Sequence, residues 1–369
     1  MRARGLLLAL LAAGVVAAAA AAAGALPFDN AGGAFEQALT PREFAFPREH
    51  SAHPTFAHEW WYLTGHLAAA SGERFGFELT FFRIALARTA AAAAADASHW
   101  RAQQLYVAHF AVSDIDHGQF HFKERRARDA LGLSGAVADP FKVWVDDWSL
   151  ALSGARWQIE AAMPGYALDV QMTAEVAPVP NGERGLSQKS SAAADASYYY
   201  SIPRLAVRGT LLRDGQALTV SGSAWLDREW GSGGLGADEA GWDWFGLQLA
   251  DGSELMFYSL RRRDGRRDAH SAGTFRAPDG TVRALGSADV AIGVQGEWLS
   301  PRGGRYPARW RVEVPSVGLA LDLRPVLADQ ELDVRPRYWE GAVDISGRAN
   351  GRNISGSGYV ELVGYARTP

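Results

Sequence analysis

The chain of 369 residues contains no cysteine. That single absence excludes disulfides, thiolate nucleophiles, iron–sulfur clusters and thiolate zinc sites. An excess of charge of one sign is also lacking: 37 Lys+Arg stand against 41 Asp+Glu, a formal net charge of −4. This balance argues against a nucleic-acid partner or a polybasic membrane surface. No segment carries sustained helical periodicity, and no Gly-x-Ser-x-Gly elbow occurs, so a hydrolase of that design has no support. What the chain has in quantity is aromatic side chains and glycine: 13 Trp, 16 Phe, 11 Tyr and 40 Gly. That combination is expected of a β-rich protein with an aromatic-lined interior.

The N-terminus has Arg2 and Arg4, an apolar run from Leu6 to Ala23, and the small-residue triplet Ala23-Gly24-Ala25. Residues 1–25 read as a secretory signal peptide, which predicts a periplasmic or secreted protein. N-terminal sequencing of the exported protein is expected to start after Ala25; a chain beginning near Met1 in the membrane fraction would refute export. No later stretch is apolar enough to span a bilayer, so no integral membrane segment is expected after cleavage.

Strand alternation recurs along the mature chain. Phe75, Phe77, Leu79 and Phe81 interleave with Arg74, Gly76, Glu78 and Thr80, and Leu168, Val170 and Met172 interleave with Asp169, Gln171 and Thr173. Turn pairs such as Asp251-Gly252 and Asp264-Gly265 separate such runs. The Ala-rich stretch Ala90 to Ala95 reads as a low-complexity surface insertion. An internal echo links Trp61-Tyr62-Leu63-Thr64-Gly65 with Trp242-Asp243-Trp244-Phe245-Gly246: each opens an aromatic strand, a polar turn and a second aromatic strand. About 180 residues separate the copies, which suits two related antiparallel β-barrel domains packed together. The expected division is residues 26–205 and 206–369, after the loop-like segment Pro178 to Ala196.

The densest constellation is Trp225-Leu226-Asp227-Arg228-Glu229-Trp230-Gly231 followed by Trp242-Asp243-Trp244. A carboxyl packed against apolar rings resists ionisation and can serve as a general acid near neutral pH, while ring faces stabilise a cation. The competing reading pairs these carboxylates with Arg228 and leaves the indoles to fill a barrel. His58-Glu59-Trp60-Trp61-Tyr62 is the first half's version, with Trp60 and Trp61 on opposite faces of a strand. His50-x2-His53-x4-His58 and His117-x3-His121 have ligand-like spacing, but strand residues three or five apart face opposite sides, so no metal is expected. Gly231-Ser232-Gly233-Gly234-Leu235-Gly236 matches a dinucleotide fingerprint with no helix after it, and reads as a loop.

Several long signatures, in order, resemble the exported bacterial proteins related to carotenoid 1,2-hydratase and AttH, some of which are grouped as secreted hydrolases. They are Phe46 to His50 with His58 to Leu67, Leu79 to Arg83, Ser197 to Arg204, Asp227 to Gly231, Trp242 to Gly246, Tyr338-Trp339-Glu340-Gly341 and Gly358 to Leu362 with Gly364-Tyr365. The resemblance covers nearly all the mature chain. It implies an all-β fold of two lipocalin-like domains and, for the AttH branch, association with an ABC transporter. The hydratase branch adds water to an alkene without a cofactor, by protonation from an Asp; Asp243 is the position that resembles that acid. Where the hydratase histidine is expected, the chain carries Arg228, a permanent cation near neutral pH.

The leading expectation is therefore an exported protein binding a hydrophobic lipid or isoprenoid, with Trp60, Trp230, Trp242 and Trp244 as walls. The enzyme alternative is a cofactor-free, acid-catalysed hydratase or hydrolase using Asp243, with Arg228 and Glu229 as orienting partners. A third alternative is a periplasmic adaptor docking on a transporter.

Overall fold

The computed structural model describes residues 35–86, 103–236 and 238–366; the expected signal peptide and the Ala90–Ala95 stretch lie outside the described residues. The fold is nearly all-β, as expected: two curled antiparallel sheets.

The first sheet begins with the aromatic strands β1 (His58–Ala69) and β2 (Arg74–Ala85), then β3 (Gln104–Asp114) and β4 (Gln119–Arg128). A run of shorter strands follows: β5 (Ser134–Ala138), β6 (Phe141–Val145), β7 (Trp148–Ser153), β8 (Arg156–Met163) and β9 (Tyr166–Ala174). After the short β10 (Val179–Pro180) and β11 (Leu186–Gln188), the long hairpin β12 (Ala196–Arg213) and β13 (Gln216–Gly231) completes it. The second sheet holds β14 (Glu239–Leu249), β15 (Glu254–Arg262), β16 (Ala272–Arg276), β17 (Val282–Gly286) and β18 (Ala291–Leu299). It ends with β19 (Arg305–Val314), β20 (Leu319–Pro325), β21 (Glu331–Leu332), β22 (Tyr338–Ala349) and β23 (Arg352–Val363).

Both sheets follow one plan. The first runs β4-β3-β2-β1-β13-β12-β9-β8-β7-β6-β5 and the second β17-β16-β15-β14-β23-β22-β20-β19-β18. In each, the first strand pairs with the last and the open seam follows the fourth strand. That shared topology is the structural form of the aromatic-hairpin echo. It also moves the expected division: the chain passes from one sheet to the other between Gly231 and Glu239, not at residue 205. The physical reason is closure, because β1 has no second partner until β13 arrives, and residue 205 lies in the middle of β12.

Alternation separates the strands by what covers them. β8 and β9 alternate buried and exposed residues, with one face in the core and one in solvent. β1, β2 and β13 bury long consecutive runs, so both of their faces are covered. One face, with Trp61, Leu63, Leu79, Phe81, Leu226 and Trp230, fills the first barrel. The other meets the second sheet, where Tyr62, Tyr199, Trp225, Trp244, Tyr258 and Tyr359 form a separate aromatic cluster. The second barrel has its own core around Phe245, Trp310 and Trp339. Hydrogen bonds cross the junction, including His66 Nε2 with the Gly358 carbonyl at 2.9 Å and Gln248 Nε2 donating to the Ala224 carbonyl at 2.9 Å. Gly76 permits this approach: a Cβ there would lie 2.7 Å from the Tyr359 hydroxyl and 2.8 Å from Ala342 Cβ. Gly76→Val is expected to wedge the sheets apart, read as a lowered denaturation midpoint and increased exposure of the junction tryptophans.

Candidate functional site

Between the outward faces of the two sheets lies a pocket lined by residues of both. Cross-strand rows build its walls. On the first sheet, Tyr199 of β12, Glu229 of β13, Trp60 of β1 and Phe82 of β2 form one row, and Asp227, Tyr62 and Thr80 the next. On the second, Tyr258, Trp244, Glu361 and Glu340 form a continuous row from β15 through β14 and β23 to β22. Period-2 side-chain geometry places every one of these residues on the junction side of its strand. Gly246 lets Trp244 lie flat along that face, because a Cβ at 246 would sit 2.3 Å from the indole edge.

Asp227 is buried and accepts hydrogen bonds from Ser201 Oγ at 2.6 Å, Trp225 Nε1 at 2.6 Å and the Tyr199 hydroxyl. Burial nevertheless dominates and, with the charge of Glu229 adding, pushes its pKa up to about 7 against those three donors. Across the junction, the Tyr62 hydroxyl donates to Glu340 Oε1 at 2.5 Å. Burial and the neighbouring Glu361 and Glu78 hold Glu340 well above the usual carboxylate range. Burial likewise takes Glu361 up to about 8, opposed by a hydrogen bond from Trp242. Glu78 is raised by burial in spite of His109, which reaches it through Tyr338: the Tyr338 hydroxyl lies 2.7 Å from His109 Nδ1 and 3.3 Å from Glu78 Oε1. Lys189 lies 3.1 Å from Glu229 Oε1 and over the Tyr258 ring. Burial opposes the lysine's charge, but Glu229 and Tyr258 raise its pKa and keep it cationic.

These carboxyls make the fold sensitive to alkali. Asp227 and Glu361 keep their protons in the folded chain at pH values where an unfolded carboxyl has lost them. Their contribution is complete below the ordinary value near 4 and is lost as the pH climbs to about 8. Glu361→Gln is therefore expected to flatten the fall of the urea midpoint across that window, whereas an unchanged slope would remove Glu361 from the account.

Of the residues expected from the sequence, Glu229, Trp60, Trp242 and Trp244 line this pocket. Asp243, Arg228 and Trp230 do not. Asp243 stands between Trp242 and Trp244 in sequence, so its side chain takes the opposite face of β14, where Arg261 Nε at 2.9 Å and the Tyr365 hydroxyl at 3.0 Å hold it. Arg228 and Trp230 alternate with Asp227 and Glu229 and point into the first barrel. There Arg228 pairs with Glu59 at 2.8 Å and covers Trp61, and Trp230 stacks on His53 at 3.9 Å between ring centres. The histidines with ligand-like spacing scatter: His50 meets Tyr200, His58 the Gly233 carbonyl, and His117 Asp114. The glycine loop after β13 leads into a strand, and its Gly233, Gly234 and Leu235 close one side of the pocket. Sequence reasoning missed Asp227, Glu78, Glu340 and Glu361 as site residues. Three of them lie inside signatures already recognised, and the signal that could have found them is period-2 parity with Trp60, Trp242 and Trp244.

No helix among the described residues is long and apolar enough to cross a membrane. Among proteins of known role, the chain is 23% identical over 222 residues to the dehydratase asqC of Emericella nidulans, spanning 56% of this chain and 60% of that relative's length. The solved structure of kievitone hydratase from Nectria haematococca shares the fold, with a TM-score of 0.68 and 15% identity over 92% of this chain and 98% of that one. A solved structure described as an AttH protein, from Nitrosomonas europaea, superposes with a TM-score of 0.80 and 34% identity, covering 90% of this chain and all of that one. The AttH-like family profile matches residues 37–365, from the segment before β1 to two residues past β23, and with both sheets and the carboxyl-lined junction inside that span, the chain belongs to the AttH-like family.

Proposed function

We propose that the chain is an exported, cofactor-free enzyme that adds water to, or eliminates it from, an apolar small molecule held between the two sheets. The observation that carries the reading is Asp227, a carboxyl that titrates at about 7 on the wall of an aromatic pocket, so that both its acid and its base forms are populated at neutral pH. In the hydration direction the Asp227 proton forms a new C–H bond as the alkene π bond breaks. The resulting cation faces the rings of Trp60, Tyr62 and Trp244. Water then forms the C–O bond and its surplus proton returns to the Asp227 carboxylate, which restores the catalyst. The dehydratase and hydratase names among the relatives support this reaction class. The basic, apolar and small-residue pattern of residues 1–25 supports export.

The test is incubation of the mature protein with a panel of acyclic isoprenoid alkenes in oxygen-18 water, followed by mass spectrometry. Products that gain one labelled water, and gain none with Asp227→Asn, are expected. Ligands that bind and are recovered unchanged across the panel would favour a carrier of lipids or isoprenoids, a role that makes no use of a carboxyl poised near neutrality.

A further inference from the structure

We propose that the same pocket is a receptor for hydrophobic cations, taking an ammonium group on an apolar body in preference to the matching alcohol or carboxylate. The inference rests on the cavity described above but goes beyond hydration, since it requires binding and no turnover.

The first ground is an excess of acidic over basic groups. From the first sheet Glu78 and Asp227 face the pocket, and from the second Glu340 and Glu361. Among the described residues that line it, Lys189 is the sole Lys or Arg, and Glu229 already takes that charge at 3.1 Å. The guanidinium groups of Arg83 and Arg228 lie one residue out of phase with the lining positions and converge on Glu59 inside the first barrel. His58 faces the Gly233 carbonyl, and His109 stands behind Tyr338.

The second ground is independent of the charge count. Among the described residues, Glu340 Oε2 and Glu78 Oε2 are buried without a hydrogen-bond partner, in residues that are each 1% exposed. Buried polar atoms left unpartnered are costly and are satisfied in most native structures, so these two carboxyls mark where a partner is missing, and a cationic N–H donor would pair with their ionised forms. Both belong to groups that line the cavity, Glu78 on the first sheet and Glu340 on the second, where the Tyr62 hydroxyl donates to Glu340 Oε1 across the junction.

The third ground selects the kind of cation. Trp60, Tyr62, Trp242, Trp244 and Tyr338 line the same cavity as the carboxyls, and aromatic rings attract organic cations through their faces. An ammonium group bound beside Glu78 and Glu340 would offer N–H donors to these carboxyls, and its apolar body would lie among the indoles that line the same cavity.

The experiment titrates the mature protein with decylammonium, decanol and decanoate below their aggregation concentrations, read by tryptophan fluorescence and calorimetry. The cation is expected to bind at least tenfold more tightly than the alcohol, and decanoate more weakly than either. Because a primary alkylammonium stays cationic well above neutrality, its affinity should rise as the pH is raised through neutrality and the carboxyls of Asp227 and Glu361 lose their protons. Glu340→Gln and Glu78→Gln should each bring the cation down toward the alcohol and leave decanol binding in place; the second variant serves if the first fails to fold. Decanol binding as tightly as the cation, or a cation preference intact in both variants, would overturn the proposal. Methylammonium binding as tightly as the decyl compound would refute the requirement for an apolar body. Cation selectivity without labelled-water uptake would refute only the hydration reading, and labelled-water uptake without selectivity only this one.

Discussion

Asp227→Asn is expected to lower the rate of water addition by about 100- to 10,000-fold, the usual worth of a positioned general acid–base. The substitution retains shape and leaves an oxygen to accept from Ser201 and Trp225, so the pocket and its affinity for an apolar ligand should survive. The matched control is Asp243→Asn. Asp243 is buried too, and burial raises its pKa, but its contacts are Arg261 and Tyr365 on the far face of β14. Turnover should persist in that variant while the second sheet loses stability. Turnover lost at position 243 and kept at 227, measured by product analysis on protein of verified fold, would return the acid to the position that the hydratase resemblance suggests.

The second large effect is on stability. Glu59 lies at the centre of a buried network: Arg228 Nη2 at 2.8 Å, the His53 amide at 2.9 Å, and Arg83. Arg83 in turn donates to Gln104 Oε1 at 2.7 Å and to the Phe56 carbonyl at 2.8 Å, while Arg228 donates to the Ser51 and Trp60 carbonyls. This arrangement ties the segment preceding β1 to the inside of the first barrel. Glu59→Gln leaves two buried guanidinium groups without their counter-charge and is expected to cost about 3–5 kcal/mol, a large share of the roughly 5–15 kcal/mol available to a folded protein. Denaturant midpoints measure it. A midpoint within experimental error of the parent would mean that water reaches these cations and that the network is not dry. The effect has the opposite pH sense to that of the junction carboxyls. Burial works against the Glu59 charge, but Arg83, His53 and Arg228 hold its pKa far below the usual range. Its contribution is thus complete above the ordinary carboxylate value and is lost as the pH falls.

The two networks sit back to back on the same strands. Trp60 and Glu229 face the pocket, and Glu59 and Arg228 face the barrel, one residue out of phase. Loss of Glu59 should therefore loosen the pocket wall as well as the barrel. Arg228, a candidate orienting group by its place between Asp227 and Glu229, acts in the structure as a partner of Glu59 instead.

Much of this was determined by the sequence alone. Composition and alternation specify antiparallel strands; the two aromatic hairpins specify two similar units; and the position of each polar residue between aromatic ones specifies its parity along the strand. Parity already separates Asp243 from Trp242 and Trp244, and Asp227 and Glu229 from Arg228 and Trp230, since neighbours in a strand point to opposite faces. Only the tertiary structure decided which parity is which. In β8 and β9 one face is wet, and polarity labels it. In β1, β2, β13 and β14 both faces are buried, each bears aromatic and charged side chains, and local pattern has no solvent side to refer to. The label comes from packing between sheets: Glu340 and Glu361 reach Asp227 and Tyr62 only because the outward faces of two barrels meet, a contact between residues more than a hundred positions apart whose energy no short window contains. The same long-range closure, β1 waiting for β13, set the change of sheet after Gly231 instead of at the loop near 205.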